Sequence, residues 1–378
     1  MPSGDLVVAS NGVETSSDAV DGGRPRPLPN LTSLRLFAAL QVLLFHLSGE
    51  GQSLVAPSII KQIVAAGFQG VSLFFVLSGF VLAYNYPAVK DKPRFYVLRF
   101  ARIYPLYFFT YVWMALHALQ LTMHRKTVIA IILDPFLLQA WWPPVAWLLN
   151  SPAWTLSVEA LFYLVFPFVV TRFQRKLRIW IPMFIILWVA WLIPPIIVDY
   201  FLNTTVSPVH AASLRNLTMI PPLRLGEFFI GIILGLDFRQ HHRRSSGWIV
   251  FFATVIVLAF LLLQGHVAYD VSRNGLLALP FGFLVYSLAG WRSPIFGSRL
   301  LEYGGEISYG IYLLQLPVIV TVHILYRRFG MGQPAWCISL ACTVLAAMLA
   351  YEIIEKTGRR LILKLAAVSS HQEPIPRA

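Results

Sequence analysis

The chain has 378 residues, of which 57% are hydrophobic and only 12% charged, and its formal net charge is +13. A soluble chain of this length carries about 25% charged residues, so the composition excludes an ordinary soluble globular protein and predicts an all-α polytopic membrane protein. The positive excess calls for no nucleic acid if it lies in loops on one side of a bilayer. Cys337 and Cys342, the only cysteines, share one apolar segment and offer neither a disulfide framework nor metal-ligand spacing.

Residues 1–28 are small, polar and proline-punctuated, without the pattern of a secretory signal, and read as a disordered tail on the cytoplasmic side. Ten apolar segments of spanning length follow, at 31–49, 67–86, 103–122, 153–171, 178–199, 219–237, 247–264, 273–290, 308–327 and 334–355. Between the third and fourth, Ile129 to Ala140 is apolar but too short and proline-flanked. With Trp141, Trp142 and Trp147 beside it, it reads as a re-entrant or interfacial helix. Ten spans place both termini on one side. Every loop on that side is basic, through Lys90 to Arg102, Arg172 to Arg178, Arg239 to Arg244, and Arg292 with Arg299. Both termini are therefore expected in the cytoplasm. The transmembrane unit runs over 29–360, followed by a cytoplasmic tail at 361–378.

Ionisable residues at membrane depth are costly, so they face a protein interior or watery cavity and mark candidate function. The first span holds Arg35 and His46, eleven residues apart. At 100° per residue they share a helix face, about 16 Å apart along the axis. A histidine there is a candidate general base, with an arginine below it able to hold an anion. The bland alternative is a histidine satisfied by a neighbouring carbonyl and an arginine snorkelling to the interface. Arg99 and Arg102 share a face at the start of the third span among Phe95, Tyr96, Phe100 and Tyr104. They serve either as topogenic anchors or as a pocket for a phosphorylated, adenine-bearing ligand, a description that coenzyme A meets.

In the fourth span Glu159 sits at a depth similar to His46, where it is able to orient the imidazole or to join a hydrogen-bond network with Trp154 and Ser157. Arg224 and Glu227, three apart, are expected to pair, with a structural role preferred. The stretch Glu306 to Tyr312 places Ser308, Tyr309 and Tyr312 where they are able to line a cavity, and its glycines suggest a broken helix start. Gly67 to Phe80 is rich in small residues, and Ser78 with Gly79 leaves room for a thin ligand arm.

These motifs together resemble the membrane acyltransferase-3 family, over about residues 30 to 360. Arg35 and His46 match its Arg-x10-His, LFFVLSGFVLAYN its second-span signature and LRFARIYPLY its Arg-x-x-Arg. SPAWTLSVEALFYLVFP and EISYGIYLLQLP match two further blocks in order. Two departures stand out: Gln315 replaces a histidine common in the ninth-span block, and the terminal Glu-x-Pro reads Glu355-Lys-Thr357.

The resemblance implies an integral-membrane O-acyltransferase, in a bacterial inner membrane, with no metal. Cytoplasmic acyl-CoA, commonly acetyl-CoA, would be the donor, and a hydroxyl of a carbohydrate or glycosylated molecule the acceptor. It implies His46 as catalytic histidine, Arg35 as its partner, Glu159 as a further acid, and Arg99 and Arg102 as coenzyme contacts. From the residues themselves, Ser78 and Gly79 are further candidates to border the donor, and Trp154, Tyr309, Arg224 and Glu227 to line the substrate cavity. A histidine base of ordinary pKa would lose activity below about pH 6.5. Two rivals stay open: a proton-coupled exporter of a hydrophobic or acylated metabolite, indifferent to coenzyme A, and a non-catalytic membrane partner.

Overall fold

The computed structural model describes residues 25–49, 58–120, 124–193, 196–197, 200, 219–263, 275–332 and 335–366, and no strand occurs among them. Most of both expected tails therefore lies outside the described residues. The helices are α1 (Pro29–Gly49), α2 (Ser58–Ala65), α3 (Gln69–Asn85), α4 (Lys92–Ala118), α5 (Arg125–Leu133), α6 (Trp154–Arg175) and α7 (Leu177–Trp191). They continue with α8 (Leu225–His241), α9 (Gly247–Leu263), α10 (Ala278–Gly290), α11 (Arg299–Arg328), α12 (Trp336–Ala350) and α13 (Lys356–Leu365).

Four stretches are long and apolar enough to cross a membrane: α1, α6 with its leading turn, α11, and α12 continued into α13. A fifth is α2 with α3, bent by 52° at their junction. Helices α9 and α10 are apolar but shorter. Large apolar side chains such as Leu116, Ile186, Phe251, Phe252 and Leu349 are exposed on the outside of the bundle, the pattern of a lipid-facing surface.

The centre is held by small residues, because lipid offers helices no hydrophobic incentive to associate and close van der Waals contact must do so. Helix α3 lies on α8 through Gly79, Gly231 and Gly235. A Cβ at Gly79 would strike the Phe228 carbonyl, and one at Gly231 the Val76 carbonyl. Helix α1 meets α11 in the same way, Gly304 against Leu36 and Gly305 against the Thr32 carbonyl. The stretch Glu306 to Tyr312 is consequently the interior of one continuous helix and not a broken start. Its neighbouring glycines serve close packing.

Helix α4 begins well before the expected span. Asp91 caps it, accepting the Arg94 N–H at 3.0 Å, and Pro93 sits in the first turn. Arg99 and Arg102 therefore ride on regular helix. The segment after α4 docks back onto it through tyrosines: Tyr104 Oη donates to the Pro135 carbonyl (3.1 Å), Tyr107 to Asp134 and Tyr111 to Ile131 (2.9 Å). Trp141, Trp142 and Trp147 stay exposed there, as interfacial anchors do. At the other end, α12 passes through a π turn at Tyr351–Glu355 into α13, whose Lys356, Arg359, Arg360 and Lys364 share the helix with exposed Leu361 and Leu365. That amphipathic character suits a membrane surface.

Candidate active site

Helices α1, α3, α4, α6 and α11 enclose one cavity of about 130 Å³. Its charged lining is Arg35 from α1, Arg99 and Arg102 from α4, and Glu159 from α6, and its polar wall includes Ser78 of α3 and Tyr309 of α11. Residues scattered over most of the sequence thus meet at one place. Phe74 and Phe75 form its apolar side.

Three of the four charged groups have fixed partners. Glu159 accepts the phenolic proton of Tyr163, one turn further along α6. The Arg99 guanidinium lies 5.5 Å from the ring centre of Tyr86 and 5.7 Å from that of Phe95, and donates to Tyr86 Oη at 3.5 Å. Arg102 pairs with Glu355 at 3.6 Å and lies 5.9 Å from the Tyr309 ring. Tyr309 is fixed in turn by donating to the Ile103 carbonyl at 2.6 Å. Behind them, α13 packs on α4 and brings the Arg359 guanidinium close to those of Arg102 and Arg99. Three guanidinium groups around one carboxylate in a low-dielectric site favour an anion, or a carbonyl oxygen that becomes one.

His46 lies three turns beyond Arg35, in the last turn of α1, half-buried and outside the cavity lining. Its Nδ1 is 3.0 Å from the Val42 carbonyl. A carbonyl only accepts, so Nδ1 carries the proton and Nε2 is the basic nitrogen of the neutral ring. Tautomer control, for which the sequence offers Glu159 as one candidate, comes from the main chain. Phe45 contacts the ring edge-on at 5.3 Å.

The other expected site residues divide differently. Gly79 faces α8 and does not line the cavity. Arg224 and Glu227 form a buried pair at 3.3 Å, and the guanidinium sits 5.5 Å from the Trp154 ring. Trp154 packs edge-on against Phe75 at 6.2 Å. This cluster buttresses the cavity wall without lining it.

Three participants escaped the sequence reading, Tyr163, Thr155 and Arg359, and Glu355 figures there only as part of the departing terminal motif. Tyr163 was within reach, being four residues from Glu159 on one helix face. Thr155, which lines the cavity and bonds Tyr312 Oη at 3.1 Å, also shares that face. Glu355 and Arg359 meet α4 only through tertiary packing.

A family model described as an acyltransferase domain matches residues 28–352, which takes in every helix that lines the cavity. The chain is 29% identical to acyltransferase MdmB of Streptomyces mycarofaciens, over 92% of this chain and 95% of that one. It is 25% identical to O-acetyltransferase OatA of Staphylococcus aureus, over 89% of this chain but only 58% of the longer relative. No solved structure matches. The chain belongs to the acyltransferase-3 family, and it is a membrane acyltransferase in which Arg35, Arg99, Arg102 and Glu159 meet in one interhelical cavity.

Proposed function

We propose that the protein moves an acyl group, with acetyl the expected one, from cytoplasmic acyl-CoA to a hydroxyl of a carbohydrate or glycosylated acceptor. It does so from a bundle of ten spans with both termini in the cytoplasm of a bacterial inner membrane. The observation that carries this reading is the convergence of Arg35, Arg99, Arg102 and Glu159 on one cavity in a chain of an acyltransferase family. The name of the Staphylococcus relative, an O-acetyltransferase, supports acetyl transfer to oxygen.

In the proposed reaction His46 Nε2 takes the proton of the acceptor hydroxyl. The hydroxyl oxygen then bonds to the acyl carbon, the carbon–sulfur bond breaks, and the departing thiolate takes the proton from the imidazolium. Ester and free coenzyme A thiol balance the reactants. The cavity is too small for a nucleotide and suits an acyl thioester on its thin arm. Arg35, Arg99 and Arg102 therefore hold the donor's thin arm in the cavity, and the thioester it carries is presented toward His46, further along α1. Glu159, held by Tyr163, balances and orients these cations.

The test is thiol release from acetyl-CoA in inside-out membrane vesicles supplied with hydroxylated acceptors, with His46→Ala at matched expression. Turnover that depends on His46 is the expected result. Equal turnover in both removes His46 as the base. Proton-coupled export with no use of acetyl-CoA would replace the reading with a transporter.

A further inference from the structure

At the end of the bundle where α1 begins, a second and far larger space opens, a cleft of about 1070 Å³. Its walls come from four segments: residues 25–30 before and at the start of α1, Tyr84 at the end of α3, the end of α8 with the loop after it, and the end of α10 with the loop after it. Five arginines line it, Arg26, Arg239, Arg243, Arg244 and Arg292, and no aspartate or glutamate does so among the described residues. Asp237, close by on α8, is engaged elsewhere, accepting from Tyr286 Oη at 2.7 Å and lying 3.1 Å from His241 Nδ1. Burial, and then the charges of Arg26 and Arg239, hold His242 below the ordinary imidazole range. Among the described residues the charged lining of the cleft is thus wholly basic.

Topology alone does not account for this. A bias of arginines toward cytoplasmic loops determines which side they occupy, but not that three loops aim them into one concavity. The cleft is also built. Arg239 Nη1 donates to the Tyr84 carbonyl at 2.5 Å, and Tyr84 Oη donates to the Arg26 carbonyl at 3.1 Å. Asn30 Nδ2 donates to the Leu288 and Trp291 carbonyls at 3.1 and 2.6 Å. These bonds tie the entry to α1 to the other three walls.

The cleft leads inward. Pro25, Arg26, Leu28 and Tyr84 line both it and a passage of about 140 Å³. Arg35 and Val81 line both that passage and the central cavity. Basic cleft, narrow passage and charged cavity therefore follow one another. A nucleotide needs a site of several hundred Å³, which the cleft provides and the cavity does not.

We propose that this cleft binds the phosphate-bearing nucleotide end of the acyl donor, a 3′-phosphorylated adenosine diphosphate, while the thin arm passes Arg35 and delivers the thioester to the cavity. The inference rests on the acyl-CoA reading and adds where the donor's phosphates sit, separating them from Arg99 and Arg102.

The experiment uses the full chain in phosphatidylcholine nanodiscs, with adenosine 3′,5′-bisphosphate as binding probe and acetyl-CoA or acetyl-pantetheine as donor. The Arg243→Gln/Arg292→Gln double variant should weaken bisphosphate binding at least about tenfold. It should also erase the wild-type preference for acetyl-CoA over acetyl-pantetheine, and Arg243→Lys/Arg292→Lys should restore part of both. Arg99→Gln should lower turnover with both donors alike. The proposal is overturned if Arg99→Gln, and not the cleft variant, loses bisphosphate binding. It is equally overturned if the cleft substitutions alter only the protein's response to phosphatidylglycerol in the nanodisc, which would make the cleft a lipid-headgroup site. Wild-type protein that uses neither donor and binds no bisphosphate removes the acyl-CoA reading too. Wild-type turnover with bisphosphate binding indifferent to the cleft removes this inference alone.

Discussion

Arg102 of α4 meets Glu355 of the π turn at 3.6 Å, with the carboxylate buried and the guanidinium open to the cavity. The contact joins the start of α4 to the far end of the chain and keeps a cation at the cavity wall. Extra π-helical residues re-aim side chains within a helix and recur at functional sites, and here the turn brings Glu355 inward.

Glu355→Gln should therefore loosen Arg102. The expected cost is about 1–3 kcal/mol of stability, since one partner of a buried charged contact is lost, together with reduced turnover. Thermal unfolding in detergent and thiol-release kinetics measure the two effects. A variant with the wild-type melting temperature and kcat would show that the pair does not position Arg102.

Glu159 and Tyr163 provide a graded test. Neutralising a carboxylate among three guanidinium groups disturbs the charge balance of the reacting site, so Glu159→Gln should lower kcat by about a hundredfold or more. Tyr163→Phe removes one hydrogen bond to that carboxylate and should cost about tenfold. If the two variants rank in the opposite order, Glu159 is not the group through which Tyr163 acts.

Gly79 separates packing from ligand binding. Gly79→Val drives a side chain into the Phe228 carbonyl and should abolish the monodisperse folded protein, as overpacking between backbones does. Ser78→Ala, one residue away on the cavity wall, should leave the melting temperature unchanged and alter only KM for the donor. Size-exclusion profiles and kinetics of the two variants decide the matter.

The buried Arg224–Glu227 pair should behave as a structural element. Glu227→Gln alone leaves a buried guanidinium without its counter-ion and should destabilise by about 3–5 kcal/mol. Arg224→Met/Glu227→Leu removes both charges and should recover most of that loss with turnover largely retained. A stable double variant with no activity would instead make the pair part of the catalytic machinery.

The all-helical membrane character follows from composition and hydropathy alone, because burying a helix in lipid is a property of its own residues. So do the candidates Arg35, Glu159, Arg99 and Arg102, since an ionisable residue among apolar ones is conspicuous without any neighbour. The pairing of Arg224 with Glu227 is equally local, three residues apart on one helix. What each charge faces is not local. That Glu355 reaches Arg102, that Gly79 turns toward α8 while Ser78 turns toward the cavity, and that His46 takes its tautomer from Val42 depend on how helices pack.

The basic loops show the division most clearly. Read along the chain, Arg26, Arg239, Arg243, Arg244 and Arg292 are topological signals in three unrelated places. Only the tertiary structure folds them around one cleft, because the distance between loops is fixed by helix lengths and close-packed glycines, and no periodicity within a single segment records it.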